Sequence, residues 1–99
     1  MSRCYVSPSA SRDLNEISDY FLTQNLEAGE RLLKEFTKKC ESLMQFPNLG
    51  RSYEWLRVGM RGVPLDGDII FYQVVNDGIE ILRVVGGRQD LQRVFNDES

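Results

Sequence analysis

The stretch Ile69-Ile70-Phe71-Tyr72-Gln73-Val74-Val75-Asn76-Asp77-Gly78-Ile79-Glu80-Ile81-Leu82-Arg83-Val84-Val85 decides the fold of this chain. Its first seven residues are almost continuously apolar, as expected of a strand in the middle of a sheet. Asn76-Asp77-Gly78 is a hairpin signal, because these residue types tolerate positive φ. Ile79 to Val85 is then the return strand, and Gly86-Gly87 ends it. Alternation predicts Arg83 on the same side of its strand as Ile81 and Val85, with Glu80, Leu82 and Val84 opposite. An arginine flanked by aliphatics is either a snorkelling side chain or a member of a patch that binds an anion. The strand alone does not decide between them.

Working towards the N-terminus, Arg61-Gly62-Val63-Pro64-Leu65 reads as a short strand whose proline sits best near an end or an edge. Phe46-Pro47-Asn48-Leu49-Gly50-Arg51 is a connection rich in turn formers. Before it the period becomes helical. From about Leu26 to Phe46, Leu32, Phe36, Cys40 and Leu43, with Leu33 and Met44 beside them, supply a buried stripe, and Pro47 stops the helix. Early Glu27 and Glu30 and later Lys38 and Lys39 match the macrodipole. Glu27–Arg31, Glu30–Lys34 and Glu35–Lys39 are i,i+4 pairs with the acid on the favourable N-terminal side. Thr23-Gln24-Asn25 separates this helix from an earlier one, in which Ala10, Leu14, Ile17 and Phe21 form the apolar face. Ser7 offers a capping hydroxyl and Pro8 fits the first helical position. Arg3 to Ser7 is β-prone and gives a first strand. Beyond the hairpin, Asp90 to Phe95 suits one terminal helical turn, and residues 96–99 are expected to fray. The order is a short N-terminal strand, a two-helix hairpin and a three-stranded antiparallel meander, an α+β fold. No linker or repeat divides it, so residues 1–99 form a single domain.

A chain of 99 residues with 41% hydrophobic and 27% charged content is an ordinary globular domain with a small core. Such a domain gains from a partner that covers exposed apolar surface. Its net charge of −3 argues against binding that depends on neutralising phosphates, and no sequence-specific nucleic-acid contact is expected. After Lys39 every basic residue is arginine, the side chain suited to bidentate contact with carboxylate or phosphate. In a meander the start of one strand and the end of another can be neighbours. Arg57, Arg61, Arg83 and Arg88 therefore either converge into a partner-binding patch or stand as isolated surface arginines.

The absence of histidine removes the usual neutral-pH acid–base agent and every His-containing metal site. Acidic residues show no metal-ligand spacing. No phosphate loop or nucleophile elbow is present, so no cofactor, metal or catalytic residue is assigned. Cys4 and Cys40 form no Cys-x-x-Cys motif and are expected to pack as free thiols in a reducing cytoplasm. No apolar run is long enough for a signal peptide or a membrane span, which points to a cytoplasmic protein.

An ordered set of short motifs resembles the ParE/RelE toxins of type II toxin–antitoxin systems across roughly residues 3–93. Its parts are Pro8 before Arg12-Asp13-Leu14-x-Glu16-Ile17-x-x-Tyr20, then Pro47-x-Leu49-Gly50-Arg51, then Leu56-Arg57-x-Gly59-x-Arg61. Ile70-Phe71-Tyr72 follows, and the last part runs from Gly78-Ile79-Glu80-Ile81-Leu82-Arg83-Val84-Val85 through Gly87-Arg88 to Asp90. The resemblance implies a toxin held inactive in a hetero-oligomer with a ParD-like antitoxin, whose C-terminal segment is disordered alone and folds along the toxin surface. RelE-like members cleave ribosome-bound mRNA, which requires proton transfer and stabilisation of charge at phosphorus. Arg61 and Arg83 are candidates for the charge, and Glu54 is the only nearby candidate base. Ribonuclease members tend to carry a tyrosine or histidine at the end of the last strand; here that region reads Gly86-Gly87-Arg88-Gln89-Asp90, and Phe95 has no ionisable proton. ParE-like members instead poison DNA gyrase by protein–protein contact and need no catalytic constellation. The chain is nearer to that branch, with a RelE-like endoribonuclease and a degenerate, nontoxic binding module as the alternatives.

Overall fold

In the computed structural model, which describes residues 2–96, the chain turns from strand to helix where Ser7-Pro8 predicts it. Strand β1 is Arg3–Val6, and α1 is Pro8–Gln24 with Ser7 as its N-cap. The Ser7 hydroxyl accepts the Ala10 N–H at 3.0 Å, satisfying one of the donors a helix start leaves without a partner. Asn25 ends α1 and starts α2 (Leu26–Gln45): its N–H donates to the Phe21 carbonyl, and its side chain accepts the Ala28 N–H at 3.1 Å. One extended residue thus makes the whole turn of the hairpin. Glu35 pairs with Lys38 at 3.9 Å, one position earlier than the expected Lys39.

The remaining elements are β2 (Arg51–Ser52), β3 (Met60–Leu65), β4 (Asp68–Val75), β5 (Gly78–Gly86) and α3 (Leu91–Asn96). The expected fraying of residues 96–99 is not seen at Asn96, which closes α3; the rest of that segment lies outside the described residues. The sheet order is β1-β5-β4-β3-β2, with β1 parallel to β5 and the other pairs antiparallel. The meander is therefore flanked by an edge strand at each side, of which the two-residue β2 was not anticipated. Pro64 is tolerated in β3 because β2 pairs only with Arg61 and Gly62, leaving the proline on an edge portion.

Both sides of the sheet are covered. On one, Ala10, Leu32, Cys40 and Leu43 of the helices meet Val63, Leu65, Ile70, Tyr72, Ile79, Ile81 and Val84. On the other, the 53–56 loop and α3 close over Met60, Phe71 and Val85, with Phe95 buried among them. Leu33, expected beside the buried stripe of α2, is exposed instead.

Candidate partner-binding site

Alternation along β5 fails at Leu82. Phe71 is opposite Arg83 and Tyr72 is opposite Ile81, so Leu82 is an extra residue, a β-bulge. The bulge resets the side-chain order: Ile81 and Val84 share the helix-side core, whereas Leu82 and Val85 join the opposite cluster. It falls where β1 stops covering β5, since the last β1 partner is Val6 opposite Ile81. From there α1 completes the edge. The Ser7 N–H donates to the Ile81 carbonyl (3.0 Å) and the Ser7 hydroxyl to the Leu82 carbonyl (2.9 Å). Asp13 Oδ2 accepts the Val84 N–H at 2.9 Å. The same carboxylate takes Arg83 in a two-pronged contact, Nε to Oδ2 at 2.7 Å and Nη2 to Oδ1 at 3.0 Å. The side chains are only 19% and 12% exposed, so this is a nearly dry ion pair. Arg83 is thus neither a snorkelling tail nor an open anion receptor. It joins β5 to α1.

Arg61 extends towards the opposite edge of the sheet. Its Nη1 donates to the Gly50 carbonyl at 2.7 Å and to the Asn48 carbonyl at 3.4 Å. Beside it the buried Tyr72 hydroxyl donates to the Pro47 carbonyl (2.7 Å) and accepts the Gly50 N–H (2.8 Å). Burial pushes the Tyr72 phenol up, against the opposing effects of the Gly50 N–H and the Arg61 charge, so it stays neutral near pH 7. A Cβ on Gly50 would lie 2.6 Å from the Tyr72 ring and hydroxyl, so only glycine fits. These contacts give the Pro47-to-Arg51 motif its physical content: they hold the connection against the sheet.

Arg57 belongs to a third arrangement. Trp55, Tyr53, Phe71 and Phe95 make a file of aromatic contacts, with Tyr53–Phe71 and Phe71–Phe95 both edge-to-face at 5.0 Å. The Arg57 guanidinium lies 5.4 Å from the Phe95 ring centre, and Arg51 lies 5.7 Å from that of Tyr53. Gly62 makes room for the Tyr53 ring. Glu54 accepts the Gly59 N–H at 3.0 Å, closing the loop over Gly59, whose φ of 77° suits glycine.

Arg88 sits in the turn after β5, exposed, with no side-chain partner among the described residues. The four arginines therefore do not converge into one patch: Arg61 and Arg83 are drawn to opposite edges of the sheet by internal acceptors. Sequence reasoning also missed the role of Asp13, named there only within a motif, and the lid formed by Tyr53 and Phe95. No local signal marks the lid, because Tyr53 lies in an irregular loop and Phe95 in a helix of only six residues. The signal for Asp13 was its place in the Arg12-Asp13-Leu14 motif.

Exposed apolar side chains that a partner could cover include two groups beside others such as Phe46 and Leu49. Along the helical hairpin Tyr20, Leu22 and Leu26 are more than half exposed (61%, 61% and 56%). A cleft of about 580 Å3 on that side is lined by Phe21, Ala28, Leu32, Arg31, Glu35 and Lys38, among others. On the far side of the sheet Trp55 and Val58 project from the loop that carries Arg57, at 60% and 83% exposure. Among the described residues no acidic or cysteine cluster is placed to hold a metal, and no helix is long and apolar enough to cross a membrane.

No curated protein matches the chain significantly. A solved structure from the chromosomal ParDE toxin–antitoxin system of P. aeruginosa shares the fold, with a TM-score of 0.72 at 21% identity over 87% of this chain and 96% of that one. The model of the ParE toxin family, the toxin of the type II toxin–antitoxin system parDE, matches residues 5–91. That span runs from β1 through β5 to the first residue of α3, and takes in the Asp13–Arg83 pair and the Gly50–Tyr72–Arg61 network. The chain belongs to the ParE toxin family of type II toxin–antitoxin systems.

Proposed function

We propose that this toxin arrests bacterial growth by poisoning DNA gyrase through protein–protein contact in the cytoplasm, and that a ParD-like antitoxin neutralises it. The observation that carries this reading is the family match over residues 5–91; gyrase as the target rests on that kinship. The alternative chemistry of mRNA cleavage draws no support from the side chains it would use. Arg61 is spent on the Gly50 and Asn48 carbonyls, Arg83 on Asp13, and Glu54 on the Gly59 N–H. The antitoxin segment is an amphipathic chain that folds on the exposed apolar residues of the toxin, as a partly buried domain of this size favours. Of the four arginines, Arg57 and Arg88 serve as contacts to antitoxin or target, and Arg61 and Arg83 act indirectly by fixing the frame.

Induced expression in a bacterial host tests the reading. The expected result is growth arrest with cleaved or relaxed DNA while translation continues, relieved by co-expression of the antitoxin. Fragments of mRNA cut at ribosome positions would replace it with the endoribonuclease reading. Unimpaired growth would leave a nontoxic binding module.

A further inference from the structure

The connection between β2 and β3 presents two faces. Tyr53 and Leu56 turn inward and pack on the cluster around Phe71. Trp55 and Val58 turn outward, and Val58 is the most exposed large apolar side chain among the described residues. The tip that carries them is fixed from within. The Tyr53 N–H donates to the Met60 carbonyl at 2.8 Å, and the Tyr53 carbonyl accepts the Leu56 and Arg57 N–H groups at 2.9 and 3.2 Å. The Met60 N–H returns to the Arg57 carbonyl at 3.1 Å. Arg51 and Arg57 lie over rings of the aromatic file beneath the tip, while Glu54 is turned back onto the Gly59 N–H. In a chain of net charge −3, this outward apolar pair is thus flanked by guanidinium groups. We propose that the Trp55–Val58 tip is the element by which the toxin docks on its target, entering a preformed apolar pocket with an acidic rim on a folded protein.

This inference rests on the reading of the chain as a toxin that acts by protein–protein contact. Shape and charge select the occupant. A segment that folds on binding lies along a groove, as the cleft beside the helical hairpin offers. A protruding, pre-ordered tip instead needs a concavity that is already built, and its order lowers the entropy cost of docking. Tryptophan and arginine are the side chains in which such interfaces concentrate affinity. The flanking cations favour a rim of carboxylates and disfavour a basic one. Hairpin and tip lie on opposite sides of the sheet, so a change confined to the tip leaves the hairpin cleft intact.

The test compares full-length wild type with Trp55→Ala, Val58→Asp and Val58→Lys for growth arrest on induction, affinity for the cognate antitoxin, and Tm. Trp55→Ala should require about tenfold more toxin for the same arrest, with Tm and antitoxin affinity unchanged. Val58→Asp should lose toxicity to at least the same extent, because its carboxylate meets the acidic rim, whereas Val58→Lys should keep most of it. Full toxicity of Trp55→Ala and Val58→Asp would overturn the docking role. So would a matching loss of antitoxin affinity, which would give the tip to the antitoxin, or a lowered Tm in all three variants, which would make it structural. Greater loss in Val58→Lys than in Val58→Asp would overturn the acidic rim. Retention of wild type, but not of Trp55→Ala, on single-stranded nucleic acid would replace the protein pocket by stacked bases and overturn the proposal. Arrest by wild type with gyrase supercoiling unimpaired would remove gyrase as the target, while the growth comparison still decides the tip. A harmless wild type would overturn both.

Discussion

Asp13 accepts hydrogen bonds from Arg83 Nε, Arg83 Nη2 and the Val84 N–H, so one carboxylate serves an ion pair and a backbone donor together. Removing Arg83 leaves the Asp13 carboxylate nearly buried without its guanidinium, and removing Asp13 takes the two-pronged carboxylate contact from a mostly buried guanidinium, a loss of about 3 kcal/mol in either case. Arg83→Ala and Asp13→Ala should each lower Tm by on the order of 15 °C, and the double variant should lose much less than the sum. Arg83→Lys should not recover the loss, because an ammonium cannot reproduce the planar fork. Additive losses in thermal unfolding would show the pair to be incidental. Gly50→Ala should destabilise by roughly 2 kcal/mol through overlap with the Tyr72 ring and hydroxyl; an unchanged denaturant midpoint would contradict that packing. Asp68 behaves oppositely to Asp13. Burial, aided by the Asp66 charge, pushes its carboxyl up, so its contribution is present below the unfolded-chain value and lost as pH rises through the higher folded value. Asp68→Asn should therefore stabilise the protein at neutral pH, by roughly 0.5 kcal/mol because solvent screens a half-exposed group. It should also flatten the pH dependence of Tm just above the ordinary carboxylate range.

At the scale of elements, residue period and capping chemistry make the helices and the meander legible in the sequence, because burial of one face imposes a period that is local in the chain. Ser7-Pro8 and Asn25 act within four residues, and the structure uses them as helix boundaries. The Asn76-Asp77-Gly78 hairpin forms, but not for the expected reason. Neither Asn76 nor Asp77 has positive φ. Gly78 is needed because the backbone of Arg3 lies where its Cβ would be. That contact is non-local, as are the Leu82 bulge, set by where β1 ends, and the convergence of Arg83 on Asp13. No period in the sequence encodes them. The motif set seen in the sequence did contain their participants, though it gave no account of what each residue touches. The aromatic lid was missed for a related reason: a six-residue helix has too few positions to display a face. Phe95→Ala should expose Phe71 and Val85, cost about 3 kcal/mol and increase binding of an apolar dye. Unchanged stability and dye binding would mean that α3 does not close this side of the sheet.

For the whole molecule, acidic net charge and internally bound arginines combine with exposed apolar side chains at the hairpin and at Trp55 and Val58. A surface of this kind favours protein partners over the phosphate backbone of nucleic acid. Arg88→Ala should leave Tm unchanged and weaken binding to antitoxin or target by roughly tenfold, whereas Arg83→Ala weakens binding only by unfolding the frame. Equal affinity of Arg88→Ala and wild type in calorimetry would remove Arg88 from the contact surface. The proposed action of the toxin is to bind gyrase rather than to cut RNA. Its most direct test is the supercoiling of relaxed plasmid by purified gyrase with the toxin in molar excess. The expected result is loss of supercoiling or accumulation of cleaved plasmid, reversed when antitoxin is added first; full supercoiling at every toxin concentration would contradict it.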